Sequence, residues 1–435
     1  MQRRSFLQAA AAAGLALTIP SVVRRVNAAE PFTGPFWVQV HASGGWDPTL
    51  MFDPKLASEH TRAYSEVARV GNIPFAPTPI DLAALNVSQD YDYQTRLLSN
   101  EQFLNKYGGR LTVINGVDTK TNNHDSGTRS MWSGQTGEGY PSLGALIAAT
   151  QGPGLPMAYI SSGGYDATQG LVGLTRVSSV SSLQRIARPN LMDPQDLEGD
   201  KFHTADTWQR IGRYQRERIQ RLQEREGLLR PRAAMGALEM AREADGDLSR
   251  LELPAELVTV PGNDLNDLQR MMQQSQIALH AFKSGIGASA TLSIGGFDSH
   301  ANNDRDQRRQ LAKLLAGIDY LVTYAGTLGL QDKLYVVVAS DFGRTPYNDR
   351  DGKDHHPIST MFAMGPNIPG DRVIGATTED RLAFAVDPNG LQPVSSGGVT
   401  ITPTLIQRAL RRAAGVDAEL DAAFPLGGAE LPLFS

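Results

Sequence analysis

Apolar residues in this 435-residue chain gather in a few short, nearly continuous runs, and the strongest of these stop abruptly at polar loops. The runs at 36–41, 290–295 and 334–339 are rich in β-branched and aromatic residues, and a fourth runs from Leu111 to Ile114. Unbroken runs of this kind predict strands covered on both faces, as in parallel sheets. Between the second and third lies 303–328, where apolar residues recur at helical spacing. Strand, helix and strand in that order predict a βαβ crossover. The spacing predicts a further helix over 265–282 and one at 402–413, with Thr402 as N-cap and Pro403 in the first turn. From 204 to 250 the chain is charged and helical in pattern, and 180–262 reads as a helical excursion from the sheet rather than a second domain. The predicted class is α/β: a mostly parallel central sheet, helices on both faces and a helical insertion.

Two of the strand runs end in the same phrase. The run 36–41 leads into Gly44-Gly45-Trp46-Asp47, and the 290s run leads into Gly295-Gly296-Phe297-Asp298, followed by Ser299 and His300. The C-terminal edge of an open α/β sheet is where ligands bind, so Asp47 and Asp298 become candidate ligands. A third copy, Gly163-Gly164-Tyr165-Asp166, lacks a long apolar run before it and a His close after it. At most it is a substrate-side loop.

Bulk properties narrow the partners. Apolar (41%) and charged (20%) fractions are those of a globular protein. A formal net charge of −5 argues against nucleic acid. Gln2-Arg3-Arg4-Ser5-Phe6-Leu7 is a twin-arginine pattern, followed by a small-residue apolar stretch to Pro20 and a plausible cleavage site near Ala28. The apolar part is too short to span a bilayer, so residues 1–28 read as an export signal. Its removal deletes four arginines and no acid, taking the net charge to −9. The expected location is periplasmic or secreted, with the twin-arginine export machinery as a partner and no stable membrane insertion. With no cysteine in the chain, thiolate metal sites, cysteine nucleophiles and iron–sulfur clusters are excluded.

Five of the eight histidines fall in or beside the strand-end loops: His41, His124, His300, His355 and His356. The 334–339 run is followed by Ser340-Asp341-Phe342-Gly343-Arg344-Thr345 and then Asp354-His355-His356-Pro357. Carboxylate and imidazole are what a divalent ion takes where thiolate is absent. A serine hydroxyl needs a base or a metal to attack, and the loop His124-Asp125-Ser126 offers one. A guanidinium can grip two oxygens of a phosphate or sulfate, which makes Arg129 and Arg344 candidate clamps.

Together the twin-arginine start, the Gly-Gly-aromatic-Asp-x-His phrase and Ser-Asp-Phe-Gly-Arg-Thr with Asp-His-His-Pro resemble the exported bacterial proteins called domain of unknown function 1501. That family is similar to the alkaline phosphatase–sulfatase superfamily. The resemblance implies an alkaline phosphatase-like three-layer sandwich. It implies Asp47 as the early strand-end ligand, Ser126 as the nucleophile, and Asp298, His300, Asp341 and His355 or His356 as the later ligands. Two departures stand out: only Ser299 separates Asp298 from His300, and Phe342 stands where a His is expected. The second weakens a metal position left with Asp47 and Asp341. The expectation is therefore an exported metal-dependent hydrolase of phosphate, less readily sulfate, esters. It would use zinc (one or two ions, with calcium, magnesium or manganese left open) and act on a small-molecule or polymer ester. The rival is a non-catalytic relative with at most one structural metal, acting as a binding or assembly partner.

Overall fold

The computed structural model describes residues 31–80, 97–177, 180–228, 231–232, 235, 248–254, 256–260 and 263–435. The export signal expected at 1–28 lies outside them. The centre of the fold is β1 (Phe36–Ala42), buried at every position. It pairs in parallel with β5 (Ser289–Ile294) on one side and β6 (Leu334–Ser340) on the other. Beyond β5 lie β3 (Tyr159–Ser161) and β4 (Leu174–Thr175), both parallel. Beyond β6 lie β9 (Ile358–Met364), β2 (Thr112–Asp118) and β10 (Arg372–Ile374), giving the order β10-β2-β9-β6-β1-β5-β3-β4. Only β9 is reversed, being antiparallel to both β2 and β6.

Alternation along β1 sorts side chains into two cores. Phe36, Val38, Val40 and Ala42 face a layer that includes α1 (Asn100–Tyr107), α6 (Asn266–Lys283) and α7 (Asn303–Thr327). Trp37 faces the other way, stacked on Tyr335 at 4.2 Å, within a layer of α2 (His124–Ser133), α3 (Leu143–Gln151) and α8 (Pro403–Ala413). The chain is thus a mixed α/β sandwich with a mostly parallel sheet between helical layers. The β5–α7–β6 unit is the anticipated crossover, stepping over β1. Of the expected helical excursion at 180–262, the described residues include α4 (Val180–Ala187) and α5 (Ala205–Arg225).

The apolar pattern does not mark β9, whose run is interrupted by two hydroxyls. Both are buried and bonded: Thr360 donates to Asn115 Oδ1 at 2.8 Å, and Ser359 accepts from the Trp46 indole at 3.2 Å. Burial satisfied this way costs little, so polar positions do not bar a central strand. Thr402 and Pro403 do open α8, but the threonine hydroxyl makes no capping bond.

Candidate metal centre

Because β1, β5 and β6 are in register to their ends, with Ala42 opposite both Ile294 and Ser340, the loops after them leave one edge together. The two Gly-Gly loops touch. A Cβ on Gly44, whose φ is +118°, would sit 2.5 Å from the Asp298 backbone nitrogen, so no other residue fits there. Arg344 clasps them. It lies on β7 (Gly343–Tyr347), which pairs with β8 (Lys353–His356) as a hairpin. Its guanidinium is 0% exposed and donates to the carbonyls of Gly44, Gly45 (2.7 Å), Phe297 (2.8 Å) and Lys353 (3.0 Å), and to Asp298 Oδ1 at 2.8 Å.

Three imidazoles converge on Asp298. His355 Nδ1 faces the Asn122 carbonyl at 2.8 Å, an oxygen that can only accept, so Nδ1 carries the proton and Nε2 presents its lone pair to Asp298 Oδ1 at 3.0 Å. His300 repeats the arrangement, with Nδ1 on Asp354 at 2.9 Å and Nε2 3.0 Å from Asp298 and 3.1 Å from His355 Nε2. His124 places Nδ1 on Asp341 Oδ2 at 2.6 Å and Nε2 3.5 Å from Asp298 Oδ2. Ligand atoms of His124, Asp298 and His355 all lie within 4.8 Å of one another. Second atoms bonded to oxygen acceptors and first atoms converging on a carboxylate is how metal-binding histidines are held. The donor set fits a divalent ion. Burial raises the Asp298 pKa, but the Arg344 bond and the neighbouring imidazoles outweigh it and bring it to about 2, so the carboxylate is anionic at any working pH. Asp298 is 46% exposed and His124 39%, which opens one side to solvent.

A buried chain of contacts orients His124. Trp132 Nε1 can only donate and gives its hydrogen to His41 Nδ1 at 3.0 Å. His41 therefore carries its proton on Nε2, which faces Asp341 Oδ1 at 3.1 Å, off the line of a well-formed hydrogen bond. Asp341 also accepts from the Gly44 amide at 3.0 Å. Burial pushes its pKa up, but the bond from His124 and the close approach of His41 hold it well below the usual carboxylate range. The Asp341 bond in turn raises His124 against burial. Trp132→Phe frees His41 to change tautomer, and a roughly 10-fold loss of divalent-ion affinity is expected. Competition with a chromophoric chelator measures it, and an unchanged affinity would count against the chain of contacts.

The structure separates residues that the sequence had grouped. Asp47 is fully buried, and its oxygens are met by Lys353 Nζ (2.6 Å), Asn303 Nδ2 (2.9 Å) and the Thr49 hydroxyl (2.7 Å). A lysine thus neutralises it, and it shares no partner with Asp341, so the weaker position expected from Asp47 and Asp341 does not form. His356 is turned from the cluster, with Nε2 on the Arg381 carbonyl at 3.2 Å. Neighbours on a strand point to opposite faces, and His355 has the inward one. The Ser126 hydroxyl is engaged by Thr121 Oγ1 at 2.7 Å and by Asn123. Helix α2 presents His124 and Gly127, three apart, to the end of β6; Gly127 is so close that a Cβ would meet the Asp341 carbonyl at 2.6 Å. Ser126 points elsewhere. Arg129 reaches the Thr136 carbonyl at 2.7 Å and Glu138, and Arg344 is fully buried, with each of its three nitrogens bonded inside the protein. His124, which the sequence places among the strand-end histidines without marking it as a ligand, joins Asp298 and His355 in this cluster.

The family model described as protein of unknown function (DUF1501) matches residues 37–394. The chain belongs to this family. No curated protein matches it. Among solved structures, i-CgsB in complex with k-i-k-neocarrahexaose aligns at 8% identity and TM-score 0.41, covering 92% of this chain and 75% of that one. The PsFucS1 sulfatase from Pseudoalteromonas sp. aligns at 10% and 0.38, covering 89% and 68%. Alkaline phosphatase from the Antarctic bacterium TAB5 aligns at 11% and 0.30, covering 78% and 93%.

In this DUF1501 chain Phe342 forms the floor of the cluster, its ring 4.4 Å from that of His355 and 4.9 Å from that of His124. An apolar ring there supports the imidazoles without offering a ligand. The third Gly-Gly copy also reaches this edge. It follows β3, which is in register with β5, and Gly164 packs on the His41 ring. Asp166 is taken by Ser161 and Arg176.

Proposed function

We propose that this chain is an exported metal-dependent hydrolase of phosphate esters, with sulfate esters second, built on one divalent ion. His124, Asp298 and His355 would hold it, with His300 as a fourth donor. The observation that carries the reading is the convergence of three Nε2 lone pairs on a solvent-open carboxylate at the C-terminal sheet edge. Imidazole and carboxylate suit zinc. Bound there, such an ion supplies Lewis-acid chemistry, polarising an ester oxygen and acidifying water. The chain does the rest: Asp341 and Asp354 orient two imidazoles, Arg344 pins Asp298, and the exposed side admits substrate. The attacking oxygen comes from solvent, because the Ser126 hydroxyl is engaged within its own loop. Export by the twin-arginine route fits a protein that takes up its ion before crossing the membrane. Among the described residues no helix is long and apolar enough to span one.

The test is elemental analysis of purified protein followed by a broad phosphoester and sulfoester panel. One ion per chain is expected, with turnover that Ser126→Ala changes by less than about twofold. Two ions, or a silent panel with the ion present, would overturn this reading. The burial of Arg344 favours the second reading, a non-catalytic binding protein with one structural ion, and a silent panel would leave that one standing.

A further inference from the structure

Behind β8, on the side away from the imidazole cluster, lies a second polar group that the proposed chemistry does not use. Lys353 and Asp47 form its centre, with Arg381, His60, Lys55 and Asp53 around them. All six are buried, with Lys353 and Asp47 at 0% exposure, Arg381 and His60 at 1%, and Lys55 and Asp53 at 6%. Most of their polar atoms are paired. Lys55 meets Asp53 at 2.9 Å, Asp53 accepts from the Thr377 hydroxyl at 2.6 Å, and Lys353 meets Asp47. Arg381 is the exception. Its Nη2 reaches the Ile358 carbonyl at 3.3 Å, and its Nη1 is 3.9 Å from Asp47 Oδ1, beyond a hydrogen bond. Its Nε and Nη1 have no hydrogen-bond partner among the described residues, and neither has His60 Nδ1.

Charge points the same way. Lys55, Lys353 and Arg381 face Asp47 and Asp53, which leaves one positive charge in excess inside the protein. Of the acids at longer range, Glu59 is exposed, and Asp304 is half-buried and accepts from the Tyr347 hydroxyl at 2.5 Å. Burial and the Arg381 charge together lower His60. The His60 imidazole therefore sits in its positive field. The backbone adds a third sign. Arg381 has φ +61°, a left-handed conformation that a non-glycine residue rarely adopts and that persists where the surroundings enforce it. The turn is closed by Arg381 N–H to the Thr378 carbonyl at 2.9 Å, and it drives the guanidinium inward.

We propose that Arg381 Nε and Nη1, with His60 Nδ1, form an internal site for one small monovalent anion of chloride's size. Buried N–H donors with one uncompensated positive charge are matched by one such anion. Enclosure on all sides excludes a phosphate ester, so the site is distinct from any substrate position. The anion ties the 377–383 turn to the segment that carries His60.

Melting temperature of the wild-type protein in sodium gluconate, titrated with sodium chloride at constant ionic strength, tests this. A rise of roughly 2–4 °C that saturates is expected, as for any ligand bound only by the folded state. Arg381→Gln should melt lower and lose the chloride dependence. Crystals of the wild-type protein soaked in bromide provide the second readout, independent of whether that variant folds. An anomalous peak within hydrogen-bonding distance of Arg381 Nε and His60 Nδ1 supports the site. Ordered water there, with melting indifferent to halide, overturns it.

Discussion

Lys353→Met is expected to destabilise the protein by about 3–5 kcal/mol, the usual cost of stranding one charge of a buried pair. Methionine keeps the length of the side chain but removes the ammonium 2.6 Å from Asp47 Oδ2. Thr49 and Asn303 still bond the carboxylate, but no adjacent ammonium then balances its charge. Urea denaturation measures the loss. Adding Asp47→Asn should recover much of it, because an amide needs no counter-charge in that pocket. A midpoint within about 1 kcal/mol of wild type would show that Asp47 is neutral already. The same pair sets an acid limit. Burial raises the Asp47 pKa, yet Lys353 and Arg381 outweigh it and hold it at about 2, below the unfolded value of about 3.9. A depressed carboxylate gives stability that is complete above the unfolded pKa and lost as pH falls through the folded one. Stability from this group should therefore be flat above about pH 5 and decline from about pH 4 towards pH 2.

Asp298→Asn is expected to cut divalent-ion affinity by about 100-fold or more while leaving the fold intact. The amide oxygen can still accept from Arg344, so the loops stay clasped. The anion on which His124, His300 and His355 converge is gone, however, and affinity for a divalent ion follows ligand charge. Chelator competition reads the affinity, and circular dichroism reads the fold. His355→Ala should behave in the same way, whereas His356→Ala should not, since its Nε2 serves the Arg381 carbonyl. Equal losses from the two histidine variants would overturn the assignment of the inward face.

Much of this site was legible as chemistry and little of it as geometry. Asp298, His300 and His355 announce themselves by following apolar runs, and strand pairing brings them to one edge. Arg344 was equally visible, but its role was not. A guanidinium reads as an oxyanion clamp until its donors are traced to Gly44, Gly45, Phe297 and Lys353. Those partners are backbone carbonyls, which carry no signature in the sequence. Ser126 shows a second limit. Its residue type and its place at a helix start fit a nucleophile, yet the close approach of Gly127 to Asp341 fixes the rotation of α2 and presents His124 instead. Rotation about a helix axis is set by packing, and a short polar helix start does not encode it.

By itself the sequence determined the strands around which the sheet is built, the crossover helix between β5 and β6, and the set of imidazoles and carboxylates placed at strand ends. These follow from local patterns of apolar residues, whose burial drives folding wherever they fall. Which charges meet depends on how the elements pack. Asp47 and Lys353 are 306 residues apart, as remote in the chain as ligands of one site could be, and their contact turns an expected metal ligand into half of a buried ion pair. Electrostatic partnership depends on distances of a few ångströms after folding, so the same aspartate reads as ligand in one dimension and as counter-ion in three.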